Sequence, residues 1–170
     1  MVNKGGTLVM NDGSAITGNI NTSLFGGGVW VIYGDFIMSG GSISGNTTNG
    51  YGGGVLLSCG NFTMSSGLIS SNTANGYGGG VLVSWGVIAM NGGVITGYAS
   101  DNVNGNAVID FDGIPQNNLG HAVYCERKYT FPFIIPYRFQ RKKRKEITAV
   151  PEDKLFFNGS NGKFSGNWDK

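Results

Sequence analysis

The chain has 170 residues, of which 31 are glycine, with 40% hydrophobic and only 13% charged residues and a formal net charge of +2. So much glycine excludes a helical bundle, because each helix-interior glycine costs ~1 kcal/mol relative to alanine. An apolar content this high with so little charge excludes a disordered chain, and four prolines without a Gly-X-Y period exclude collagen.

The charge is unevenly placed. Residues 1–125 hold one base, Lys4, against five acids, whereas residues 126–170 hold eleven bases against five acids. The start, MVNKGGTLVMNDGS, has no apolar leader. The chain therefore reads either as intracellular or as a piece of a longer protein.

From Leu8 onward the sequence repeats. The first unit is LVMNDGSAITGNINTSLFGGGVWVIYGD, 28 residues long. Next come FIMSGGSISGNTTNGYGGGVLLSCGN from Phe36 and FTMSSGLISSNTANGYGGGVLVSWGV from Phe62, a spacing of 26. A fourth unit, IAMNGGVITGYASDNVNGNAVIDFDG from Ile88, loses the triple glycine but keeps its register through Gly105–Ile109. A fixed period of this length marks a repeat architecture.

Within each unit the apolar period is two. Val55 and Leu57 flank Leu56, and Phe62 and Met64 flank Thr63, so each unit offers three short strands separated by Gly, Ser and Asn clusters. Three such strands cannot bury a core alone, but identical units stacked at the ~4.8 Å strand spacing can. The expected fold is an all-β, right-handed parallel β-helix of four to five coils over residues 1–125. Residues 126–170 are expected to form an irregular basic cap and tail. Val29, Val55 and Val81 should stack as one internal column, and Met10, Met38, Met64 and Met90 as another. Asn19, Asn46 and Asn72 should share a turn column with amides bonded along the stack. A propeller or sandwich fits worse, since propeller blades need ~40 residues and antiparallel pairing does not stack like on like.

The pattern GYGGGV-x-x-S-x-G-x-FTMS-x-G-x-IS-x-N resembles the glycine-rich right-handed β-helix repeats of bacterial surface and secreted proteins. It is also distantly similar to the repeats of polymorphic outer-membrane autotransporters. LGHAVYC at 119–125 resembles the last unit of such proteins, and GNWDK their closing segment, whereas YTFPFIIPYRF departs from the pattern. The resemblance implies an extracellular, surface-displayed repeat protein.

Candidate chemistry is sparse. Asp101, Asp110 and Asp112 are the one acidic cluster. If Asp110-Phe-Asp112 were a strand, its two carboxylates would share a face about 7 Å apart, within glycosidase range. The plainer reading makes ASDN and DFDG turn and strand-end residues facing water. No Asp recurs as a calcium-binding β-roll requires, and His121 with Cys125 lacks further zinc ligands. The glycine stretches precede neither a helix pattern nor Lys-Ser/Thr, so they are not phosphate loops. No cofactor or metal is expected. Arg141, Lys142, Lys143, Arg144 and Lys145 form a basic run able to attract an anionic partner through a nonspecific field. A solvated tail is the plainer reading, and no specific nucleic acid is expected. YTFPFIIPYRF is expected to cover the C-terminal end of the coil, with membrane contact as the alternative. Trp30, Leu56 and Leu82 stack outward beside the glycine corners and are expected to form an exposed apolar stripe, a candidate interaction face.

The expectation that follows is a non-catalytic surface or secreted module for adhesion or ligand display. Its partners would be a protein or glycan on a cell surface, or another copy through the first coil or the apolar stripe. The alternative is a carbohydrate-binding or carbohydrate-active β-helix, lyase-like or glycosidase-like, using Asp101, Asp110 and Asp112.

Overall fold

The structure is a computed structural model and describes residues 1–98, 102–116, 119–126 and 155–156, the last pair and residues 125–126 by backbone alone. Asp101, the run Arg141–Lys145 and the segment YTFPFIIPYRF lie outside the described residues.

The described chain is all β and contains no helix. In chain order the strands are β1 (Thr7–Met10), β2 (Ala15–Thr17), β3 (Ile20–Asn21), β4 (Val29–Ile32) and β5 (Asp35–Ser44). Then come β6 (Thr47–Thr48), β7 (Val55–Ser58), β8 (Asn61–Ser70), β9 (Thr73–Ala74) and β10 (Val81–Ser84). The last are β11 (Val87–Met90), β12 (Val94–Ile95), β13 (Ala107–Val108), β14 (Val123–Glu126) and β15 (Leu155–Phe156). They form three sheets. Sheet A runs β14-β10-β7-β4, sheet B is built on β1-β5-β8-β12-β15 with β2 and β11 alongside, and sheet C runs β13-β9-β6-β3. All strand pairs are parallel except β12 with β15. The product is a parallel β-solenoid of about three turns, somewhat shorter than the four to five coils expected.

Like stacks on like. Val29, Val55, Val81 and Val123 pair in register, as do Met10, Met38, Met64 and Met90. Phe36 and Phe62 stack inside with ring centroids 4.7 Å apart and planes within 9°. These columns, with Ile43, Ile69, Ile95 and Leu57, are the core.

The expected asparagine column is a hydrogen-bonded ladder, longer by one rung. Asn19 Nδ2 donates to Asn46 Oδ1 at 2.7 Å, Asn46 Nδ2 to Asn72 Oδ1 at 2.9 Å, and Asn72 Nδ2 to Asn106 Oδ1 at 2.8 Å. Each receiving oxygen also accepts the backbone N–H of the preceding asparagine. The buried amides reach back as well, to the carbonyls of Ile16, Ile43 and Ile69.

The triple glycine is explained by position. Gly52 has φ +68°, open to glycine at no steric cost. A Cβ on Gly53 would run into the Gly79 carbonyl of the next coil, and one on Gly54 would lie 2.7 Å from the Gly80 carbonyl and 2.9 Å from Asn72 Nδ2. The last coil shows the converse. Gly79 N donates to Gly120 O and Gly80 N to His121 O, so Gly120 stands where Gly78 stands and His121 where Gly79 stands. With Val123 opposite Val81, LGHAVYC supplies the last described corner and the last described strand of sheet A, delayed to a spacing of 42 from Gly78. Among the described residues no further coil occupies the space beyond it, so a side chain fits. The buried His121 ring accepts the Val108 N–H at Nδ1, 2.9 Å, and lies against Tyr98.

Candidate interaction face

Parallel pairing places Trp30, Leu56, Leu82 and Tyr124 in one column on the outer side of sheet A. The expected exposed stripe needs correction, however: Leu56 and Leu82 are only 3% and 4% exposed. The corner that precedes each strand carries a column of rings. Phe25, Tyr51 and Tyr77 occupy it in successive coils, and their rings run beside the Trp30–Tyr124 column. Tyr51 and Tyr77 stack at 5.9 Å and 5°, Phe25 stacks on Trp30 at 4.8 Å, and Tyr77 on Tyr124 at 4.6 Å. The leucines sit between Trp30 and Tyr124 in this aromatic setting, and the exposed apolar surface passes to the rings. The signal was present in the sequence as aromatics 26 apart before each triple glycine, Phe25, Tyr51 and Tyr77.

The opposite border of sheet A carries a second column. Tyr33, Cys59 and Trp85 follow β4, β7 and β10, with the Tyr33 and Trp85 side chains well exposed. Their φ angles are 53°, 58° and 59°, in the left-handed region. A bulky residue held there costs roughly 1–3 kcal/mol. Among the described residues glycine stands at twelve other positive-φ positions, the residue that such a backbone favours. Side chains are kept here against the backbone preference. The neighbouring Cys59 thiol raises the Tyr33 phenol above its ordinary pKa, first through side-chain hydrogen bonding and then through its charge. Cys59 is a free thiol. Trp30 Nε1 donates to Ser58 Oγ at 3.3 Å, so the floor between the two borders also offers hydroxyl groups.

The acidic candidates take a different geometry from the strand reading. Residues 111–113 form a turn rather than a strand, with Gly113 at φ +78°. Asp110 Oδ1 accepts the N–H groups of Asp112 and Ile114, and Oδ2 accepts Gln116 Nε2 at 2.8 Å. Asp110 is thus the staple of its own turn. Its strand-face relation to Asp112 does not exist, because the bonds to its own loop curl the chain away from β13. His121 uses Nδ1 for Val108, and the Cys125 side chain lies outside the described residues. Among the described residues, no group of three or more His, Cys, Asp or Glu could hold a metal ion.

Comparison with family models, with curated proteins and with solved structures finds no match to the chain.

Proposed function

We propose that the chain is a non-catalytic display and adhesion module of a surface or secreted protein, and that the outer side of sheet A contacts a protein or glycan. The observation that carries this reading is the aromatic bordering of one face. Phe25, Tyr51 and Tyr77 line its entry side, and Tyr33 and Trp85 its exit side, where the backbone favours glycine. Aromatic side chains with a polar handle are the groups enriched at contact surfaces, because they bring large area with few rotatable bonds. Solenoid stacking supplies the rigidity: border residues pack on their counterparts in neighbouring coils, as Tyr77 does between Tyr51 and Tyr124. The extracellular setting rests on the resemblance of the repeat to bacterial surface proteins.

The test is binding of the labelled chain to arrayed glycans and to immobilised cell-surface proteins, comparing parent with Trp85→Gly and Tyr77→Ser. Trp85→Gly relieves a strained backbone and removes a largely exposed ring, so it should melt no lower than the parent while binding about tenfold more weakly. Unchanged binding in both variants would remove the face from consideration. Turnover of pectin, alginate or another polysaccharide that is lost in Asp110→Asn or Asp112→Asn, in protein that still folds, would replace this reading with the carbohydrate-active one.

A further inference from the structure

The two borders of sheet A differ in what their ring faces meet. On the entry side the rings stack along the solenoid, so their faces are taken up: Tyr77 lies between Tyr51 and Tyr124. On the exit side Tyr33, Cys59 and Trp85 follow one another coil by coil, Tyr33 N donating to Ser58 O and Cys59 N to Ser84 O. The small Cys59 thus separates two rings that stand two coils apart, ~9.6 Å at the usual strand spacing. Tyr33 is 60% and Trp85 53% exposed, and among the described residues neither stacks on another ring.

The surroundings carry almost no charge. Residues 25–33, 51–59 and 77–85, which form the entry corner, strand and exit corner of three coils, contain no charged residue. The one charged residue between Asp12 and Asp101 is Asp35, just past the Tyr33 corner, and it is negative. Its Oδ1 accepts Asn61 Nδ2 at 2.8 Å, so this exposed pair adds polar groups beside the border. Ser58 Oγ accepts the Trp30 indole N–H and keeps its own proton to donate.

We propose that the exit border binds a neutral, extended polysaccharide running along the solenoid axis, with one sugar on Tyr33 and the next but one on Trp85. This rests on the reading of sheet A as a contact face and names the class of its ligand. Three observations select that class. The first is charge: a charged protein surface or a uronate chain would lose water here without gaining a counter-charge, and a uronate would also face Asp35. The second is chemistry. The apolar C–H face of a pyranose lies on an aromatic face, while the hydroxyls at its edge need the donors and acceptors that Ser58 and the Asp35–Asn61 pair provide. The third is spacing. In an extended two-fold ribbon every second sugar shows the same face, and ~9.6 Å between the two rings is about that repeat.

Titration calorimetry of the full chain with cello- and manno-oligosaccharides of increasing length, and with galacturonate oligomers as the charged counterpart, tests this. Affinity for the neutral series should jump by about tenfold from disaccharide to trisaccharide, the first chain able to reach both rings. Added salt should leave it unchanged. Tyr33→Gly and Trp85→Gly, at backbone angles that suit glycine, should each remove the jump while melting no lower than the parent. Tighter binding of galacturonates, binding suppressed by salt, or a jump that survives both variants would overturn the proposal. So would the absence of binding by both neutral series. The contact-face reading then stands if a cell-surface protein binds through Trp85, and falls with the proposal if none does.

Discussion

Asn72 illustrates how a single side chain serves several coils. Its oxygen takes two donors from Asn46, and its amide nitrogen satisfies both Ile43 O and Asn106 Oδ1, all away from water. Asn72→Ala therefore strands several buried polar groups at once, at ~1–3 kcal/mol for each left unsatisfied. Asn19→Ala, at the exposed end of the ladder, should cost only ~1 kcal/mol. Urea unfolding should separate the two variants clearly; equal losses would mean that the ladder contributes little. Tyr33 supports a second prediction at this scale. Hydrogen bonding with Cys59 favours the neutral phenol in the folded state, so the pKa is raised on folding. The associated stability is present below the ordinary tyrosine pKa and is lost as pH rises through the raised folded value. Ultraviolet titration of the parent against Tyr33→Phe should show the Tyr33 phenol ionising late, and Cys59→Ala should lower its pKa.

At the scale of the corner and its strand, one position takes opposite residues in different coils. Gly53 admits no Cβ because Gly79 and Thr73 of the neighbouring coil occupy the space. Gly53→Ala should therefore cost ~3 kcal/mol or more by forcing the coils apart. His121, at the equivalent place in the last coil, fills the end and accepts the Val108 N–H. His121→Ala should lose ~2 kcal/mol or more, from the cavity and the orphaned N–H together. Thermal or urea melting of both variants checks the pair. A harmless Gly53→Ala would contradict the close approach of coils, and a harmless His121→Ala would contradict its part in closing the end.

For the molecule as a whole, the sequence by itself determined the solenoid. A 26-residue period with parallel strands sets each residue above its own counterpart, so columns of Val, Met and Asn follow from spacing alone. In-register stacking is a one-dimensional rule, and a sequence displays it directly. What lies between columns is not one-dimensional. Leu56 and Leu82 looked exposed because alternation turns them outward, yet both are buried, in the column whose ends are the stacked Trp30 and Tyr124. The aromatic border was legible at positions 25, 51 and 77, but its contact with sheet A depends on the corner geometry. The turn at Asp110 depends on side-chain bonds to its own backbone, which override the alternation that made DFDG resemble a strand. The ends were least legible. His121 matches Gly79 across an insertion that breaks the period, and β15 reaches β12 from 60 residues along the chain. Repetition fixes what neighbouring coils repeat; closure has no repeat to read, so only the tertiary structure could decide it.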